Sequence, residues 1–183
     1  MMRRMVMTLP VVLLALGLCL PAQTPGAGTP KPTTAAMQVQ SNLNQLMRGV
    51  LYPASNVVFF AQTDNPADVK FVPGQDPSLA TDPLVSTFGG WQAVENAALA
   101  LTESANLLLL PGRNCANGVP VPMNNPDWSR FVQELRDAGM KAYLAAQSKN
   151  QDKMIEAADT LTAACAGCHK KWREKPRLAD RCK

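Results

Sequence analysis

The chain has 183 residues, of which 46% are hydrophobic and only 5% aromatic, with 18 Lys and Arg against 14 Asp and Glu for a formal charge of +4. That length is ample for one domain with its own core, and the small charge excess gives no sign of a nucleic-acid partner. An apolar fraction carried largely by Ala and Leu argues against a β-sandwich and for packed helices.

The first segment reads as a targeting signal. Arg3 and Arg4 precede an apolar run from Leu9 to Leu20, and small and polar residues follow. This is the layout of a secretory signal peptide over residues 1–22, with cleavage expected after Ala22, although no clean A-x-A site is present. The run is shorter than the roughly 20 apolar residues of a membrane span, so no membrane contact is expected after cleavage. An uncleaved anchor is the alternative. Cys19 follows Leu18, a bulky residue where a lipid-attachment motif has a small one. Loss of the signal leaves Cys115, Cys165, Cys168 and Cys182, and an exported chain meets an oxidising compartment.

Residues 23–34 are rich in Pro, Thr and Gly and read as a flexible lead-in. A first helix is expected from near Ala35 to Gln62, with Leu43, Leu46, Met47 and Val50 on one apolar face and a kink at Pro53. Four prolines and three glycines between residues 63 and 90 predict a long loop. The second helix spans Gly90 to Leu110, and the Pro-Gly-Arg that follows stops it. After a turn-rich loop the third opens at Asn125 and Pro126, a capping residue followed by a proline suited to the first helical position. Residues 147–151 make a short connection. The fourth helix runs to Lys175, where Pro176 ends it, and residues 177–183 form a C-terminal tail. Four amphipathic helices of similar length predict an all-α domain over residues 35–176, an antiparallel up-down-up-down four-helix bundle.

The informative stretch is "CAGCHKKWR", residues 165–173, which holds the only histidine of the chain. On a helix Cys165, Cys168 and His169 share a face at i, i+3 and i+4. C-x-x-C-H is the attachment pattern of a c-type haem: two thiols add to the porphyrin vinyl groups as thioethers, and the adjacent imidazole reaches the iron. Other readings of the pattern are a thioredoxin-like pair, which wants a βαβ setting, a zinc site, which wants about four ligands, and an accidental match in a structural helix. The expected cofactor is one covalent haem c with its iron. The compartment is then the bacterial periplasm, since bacteria attach c-type haem outside the cytoplasm.

The stretch resembles the C-x-x-C-H-x-x-aromatic-Arg signature of the cytochrome c-prime family, the class II c-type cytochromes. That family carries its haem motif near the end of the last helix of a four-helix bundle. The resemblance puts Trp172 at the aromatic place and Arg173 at the basic place, near the haem edge. It leaves two function classes open. Low-spin members put a first-helix Met on the iron and carry electrons; high-spin members leave that face open and bind nitric oxide or carbon monoxide. "NQLMRG", residues 44–49, is similar to the low-spin pattern and makes Met47 the candidate sixth ligand, with Met37 a weaker one. An ordinary core methionine is the competing reading of Met47. Leu43, Leu46 and Val50 are expected to pack on the ring in either class.

No acid–base constellation stands out, so the expectation is a carrier and not an enzyme. The redox partner protein is not readable from the sequence, and a homodimer is one assembly that the resemblance allows. In an up-down-up-down bundle Cys115, between the second and third helices, and Cys182, just past the fourth, fall at the same end. A disulfide between them is therefore expected, with two unpaired thiols or intermolecular pairing as the alternatives.

Overall fold

The computed structural model describes residues 37–69, 82, 84–85 and 88–182, which belong to one compact unit, Ala36–Lys183. The expected signal peptide, the lead-in and most of the 63–90 loop lie outside the described residues. Among those residues the architecture is all-α. The sole extended pairing there is an isolated bridge between Asn114 and Pro120.

The first helix starts later than the periodicity implies. Helix α1 spans Leu43–Leu46. Asn42 sets its start through a capping box: the Asn42 side chain accepts from the Gln45 backbone N–H at 2.9 Å, and the Gln45 side chain accepts from the Asn42 N–H at 3.0 Å. Met37, 82% exposed, precedes the helix. The chain then widens into a π turn, Met47–Leu51, and returns to an α-helix, α2, over Tyr52–Thr63. The Tyr52 N–H bonds back to the Met47 carbonyl. Pro53 follows directly and has no N–H to give, so the ladder is disturbed where proline would break it in any case. A π turn thus stands where the sequence suggests a simple kink.

Helix α3 spans Trp91–Ser104 and its end tightens into a 3-10 turn, Ala105–Leu109. Helix α4 spans Pro126–Gln147, capped by the Asn125 side chain, which accepts from the Asp127 N–H at 3.0 Å. Helix α5 spans Gln151–Trp172, capped in the same way by Asn150. It stops short of Lys175 because the N–H groups of Arg173 and Glu174 both bond to the His169 carbonyl, at 2.8 and 2.9 Å, which closes the last turn ahead of Pro176.

The packing runs α2 on α3 and on α5, and α4 on α3 and on α5. The core between them is rich in alanine, including Ala61, Ala98, Ala105, Ala142, Ala146 and Ala158, which lets the backbones approach. Helices α3 and α4 approach closely at Gly139: a Cβ there would sit 2.5 Å from Thr102 Oγ1 and 3.2 Å from the Ala98 carbonyl oxygen. Leu84, from the segment between α2 and α3, is fully buried in this core, a role its loop setting does not advertise. Trp128, near the start of α4, is buried and donates its indole N–H to the Leu108 carbonyl at 3.0 Å.

Candidate functional site

A cavity of about 490 Å³ opens between the first helical segment, α4 and the end of α5. Cys165, Cys168 and His169 line it from α5, and Met47 and Leu43 line it from the first segment. Its apolar walls include Trp128, Phe131 and Leu108. The volume lies within the range of cofactor pockets, roughly 300–1,000 Å³.

The levels of the two candidate iron ligands agree better than the sequence-based helix ends imply. Met47 lies four residues past the first residue of α1, about 6 Å along the axis, and His169 lies three residues before the last of α5, about 4.5 Å. A helix starting at residue 35 would have set Met47 twice as deep as His169.

Leu46 and Val50 are not among the cavity residues. Leu46 is buried in the core and Val50 packs half-buried against it. The cavity face of the first segment is instead Leu43, Met47, Leu51 and Ser55, a run of four-residue steps. The wider π turn keeps such steps in phase, whereas a regular α-helix would have rotated Val50 toward Met47. The sequence pattern therefore missed Leu51, and Pro53 is the signal that could have warned of the phase shift.

Trp172 and Arg173 both line the cavity. The Trp172 ring meets Trp128 edge-on, with centroids 6.3 Å apart, and its own buried indole N–H has no hydrogen-bond partner among the described residues. Arg173 is half-exposed and pairs with Glu174 at 3.0 Å. Phe131 has the helical spacing of a core residue in the sequence, with no signal of a role at the cysteine pair. Its ring seats over Gly167, the second spacer residue of the Cys165–Cys168 pair, so closely that a Cβ there would be 2.9 Å from the ring. An ion pair between Lys171 and Asp127 ties the end of α5 to the start of α4 beside this contact.

The cysteines divide into two kinds. Cys115 and Cys182 form a disulfide with Cα atoms 5.0 Å apart. Cys165 and Cys168 remain free thiols. Burial raises the pKa of Cys165, opposed by nearby Arg173, and burial reinforced by Cys165 and Glu134 pushes Cys168 up to about 11. Burial, helped by Arg173 and opposed by Glu174, holds His169 below its ordinary value. At neutral pH the site therefore presents two protonated thiols and a neutral imidazole with a lone pair available to a metal.

Among the described residues no three His, Cys, Asp or Glu side chains group as a site for a bare cation. A closed zinc centre would want a fourth donor of that kind beside Cys165, Cys168 and His169. The chain matches no protein-family model, no curated protein and no solved structure.

Proposed function

We propose that this chain is an exported monohaem c-type cytochrome, built as an antiparallel four-helix bundle of the cytochrome c-prime type, that carries electrons through a haem whose iron His169 and Met47 would hold. The observation that carries the reading is that Cys165, Cys168, His169 and Met47 line one apolar cavity.

The residues suit the group. Two free thiols one helical turn apart stand beside the imidazole, while the other two cysteines are already paired and cannot compete for the vinyl groups. The cavity walls are mainly aliphatic and aromatic, as a porphyrin face requires, and the unpartnered Trp172 N–H marks a donor that the protein itself leaves unanswered. Cys165 and Cys168 would hold the ring as thioethers. Bound there, the haem would supply a one-electron iron couple.

The chain's own contribution is ligation, orientation and exclusion of water. The neutral His169 offers a nitrogen lone pair without first losing a proton. Met47, half-buried on the facing segment, offers a soft, uncharged sulfur, and a His/Met pair raises the reduction potential relative to harder ligands. Both ligands are neutral, so neither must gain or lose a proton when an electron moves. Phe131, Trp128 and Leu108 keep the pocket interior apolar. Arg173 lines the cavity and pairs with Glu174, and its guanidinium would offset the negative charge of a propionate.

Optical spectra of the haem-loaded protein, with and without carbon monoxide, test the reading. Low-spin bands that respond little to the gas, and that become high-spin in Met47→Ala, are expected. High-spin bands in the wild type that sharpen on adding the gas would replace electron carriage with gas binding at an open face. Failure to attach haem when co-expressed with haem-maturation machinery would remove both.

A further inference from the structure

From the sequence, residues 177–183 are a tail. Among its described residues, Arg181 and Cys182 line the cavity wall. Several ties hold it. The Cys182 N–H donates to the Trp172 carbonyl at 2.9 Å. The Asn117 amide donates to the carbonyls of Ala179 and Arg181 at 3.2 and 2.8 Å. The Arg181 side chain donates to the Lys175 carbonyl. The disulfide to Cys115 is the covalent tie.

The two ends of that disulfide differ. Cys115 is 2% exposed, and its loop is pinned by neighbours. The Leu43 N–H donates to the Asn114 carbonyl at 2.8 Å, and the buried Arg113 guanidinium donates to the carbonyls of Ser41 and Leu107. The Cys182 side is held by the hydrogen bonds named above but is less buried, Cys182 itself being only partly covered. Leu178 is 65% exposed, and the 3-10 turn Leu178–Asp180 buries no residue. The tail has no core of its own, and solvent-exposed hydrogen bonds are individually weak, so segments of this kind open locally at low cost.

We propose that residues 177–182 are a disulfide-latched wall of the cavity, opened by an external dithiol. One thiolate of the dithiol attacks Cys182 Sγ, the sulfur of the less buried of the two residues. The S–S bond breaks, the electron pair leaves on Cys115 Sγ, and that sulfur takes a proton. The second thiol of the reductant then attacks the mixed disulfide, releasing Cys182 as a thiol and leaving the reductant as a disulfide. The Cys115–Cys182 pair gains two electrons and two protons, and the dithiol loses the same. The wall then swings on the segment after Trp172, and the cavity gains a side entrance. This device concerns access to the cavity and does not depend on what fills it.

The test uses the haem-free full chain in three forms: bridged, reduced by a dithiol and desalted, and Cys115→Ala/Cys182→Ser. Labelling of Cys165 and Cys168 by N-ethylmaleimide is followed site by site at one pH, and hydrogen exchange is read at the Cys182 position and along α3. With the bridge absent, both cavity thiols are expected to label about tenfold faster, and the residue-182 amide to lose protection, while α3 stays protected. Equal labelling rates overturn the latch. Loosening of α3 together with the tail also overturns it, because the bridge would then support the whole fold. Asn117→Ala with the bridge intact is expected to label within about twofold of wild type; a tenfold rise there would make hydrogen bonds, and not the disulfide, the latch.

Discussion

Phe131 lies against Gly167 with no room for a side chain between them: a Cβ on Gly167 would approach the ring to 2.9 Å. The contact joins the middle of the Cys165–Cys168 pair to the wall of the cavity. Gly167→Ala would gain about 1 kcal/mol of helix propensity, yet it forces the ring to shift, and overpacking of this kind costs about 1–3 kcal/mol. The ring's free direction is the cavity. Gly167→Ala is therefore expected to lower the denaturant midpoint slightly and to reduce covalent haem loading more than it reduces stability. Adding Phe131→Leu is expected to restore loading, and a double-mutant cycle with no coupling between the two sites would disprove the contact's role.

Gly139 presents the opposite case. Its would-be Cβ meets Thr102 Oγ1 at 2.5 Å, but also the Thr102 backbone nitrogen at 3.0 Å and the Ala98 carbonyl oxygen at 3.2 Å. Backbone cannot rotate away as a ring can, so α3 and α4 must separate. Gly139→Ala is expected to cost about 2–3 kcal/mol in equilibrium unfolding, beyond any gain in propensity. Thr102→Ala is not expected to rescue it, because the two backbone contacts remain. Full rescue would mean that the helices are set by the hydroxyl alone.

The capping box at Asn42 fixes where the first helix begins, and with it the level of Met47. Asn42→Ala removes the acceptor for the Gln45 N–H. A loss of about 1 kcal/mol is expected, as for other cap deletions. Hydrogen exchange should quicken in residues 43–47 and leave α4 and α5 untouched. In the haem-loaded protein the same change is expected to weaken whichever ligand the first segment supplies, seen as a rise in high-spin content. Unchanged exchange at Gln45 would contradict the cap.

How far the sequence carried this reading depended on how local each signal was. The helical period of α3 and α4 and the caps at Asn125 and Pro126 were legible, because each rests on a few neighbouring residues. The side-by-side placement of Cys165, Cys168 and His169 follows from helix geometry alone. The start of the first helix is set by the capping box at Asn42, which a period count does not register; among the described residues ahead of it Met37 is exposed and no helix forms. Leu51 and not Val50 lines the cavity because the π turn before Pro53 shifts phase, and a fixed period cannot express that. Phe131, Leu84 and Gly167 act through contacts between elements distant in sequence. The inward fold of Arg181 and Cys182 depends on a disulfide partner 67 residues away.

Stability of the haem-free chain should depend on pH from both sides, and the two flanks have different owners. In the fold the Cys168 thiol ionises only near pH 11, against an ordinary 9.0. Between those values the unfolded chain has lost the proton and the folded chain has kept it, so the fold loses stability as pH rises through that window. The loss is on the order of 2 kcal/mol, with Cys165 adding in the same direction. His169 works at the other end. Its folded pKa lies below the ordinary 6.5, so the unfolded chain binds the proton first and stability falls as pH drops through 6.5. Denaturant midpoints measured from pH 5 to 11 are expected to trace a plateau near pH 7–8 with both flanks descending. Cys168→Ala should flatten the alkaline flank, and His169→Gln should flatten the acid one. Thioether formation consumes both thiols, so the alkaline flank should also vanish in the haem-loaded protein, and a flank that survives there would have to belong to groups other than Cys165 and Cys168.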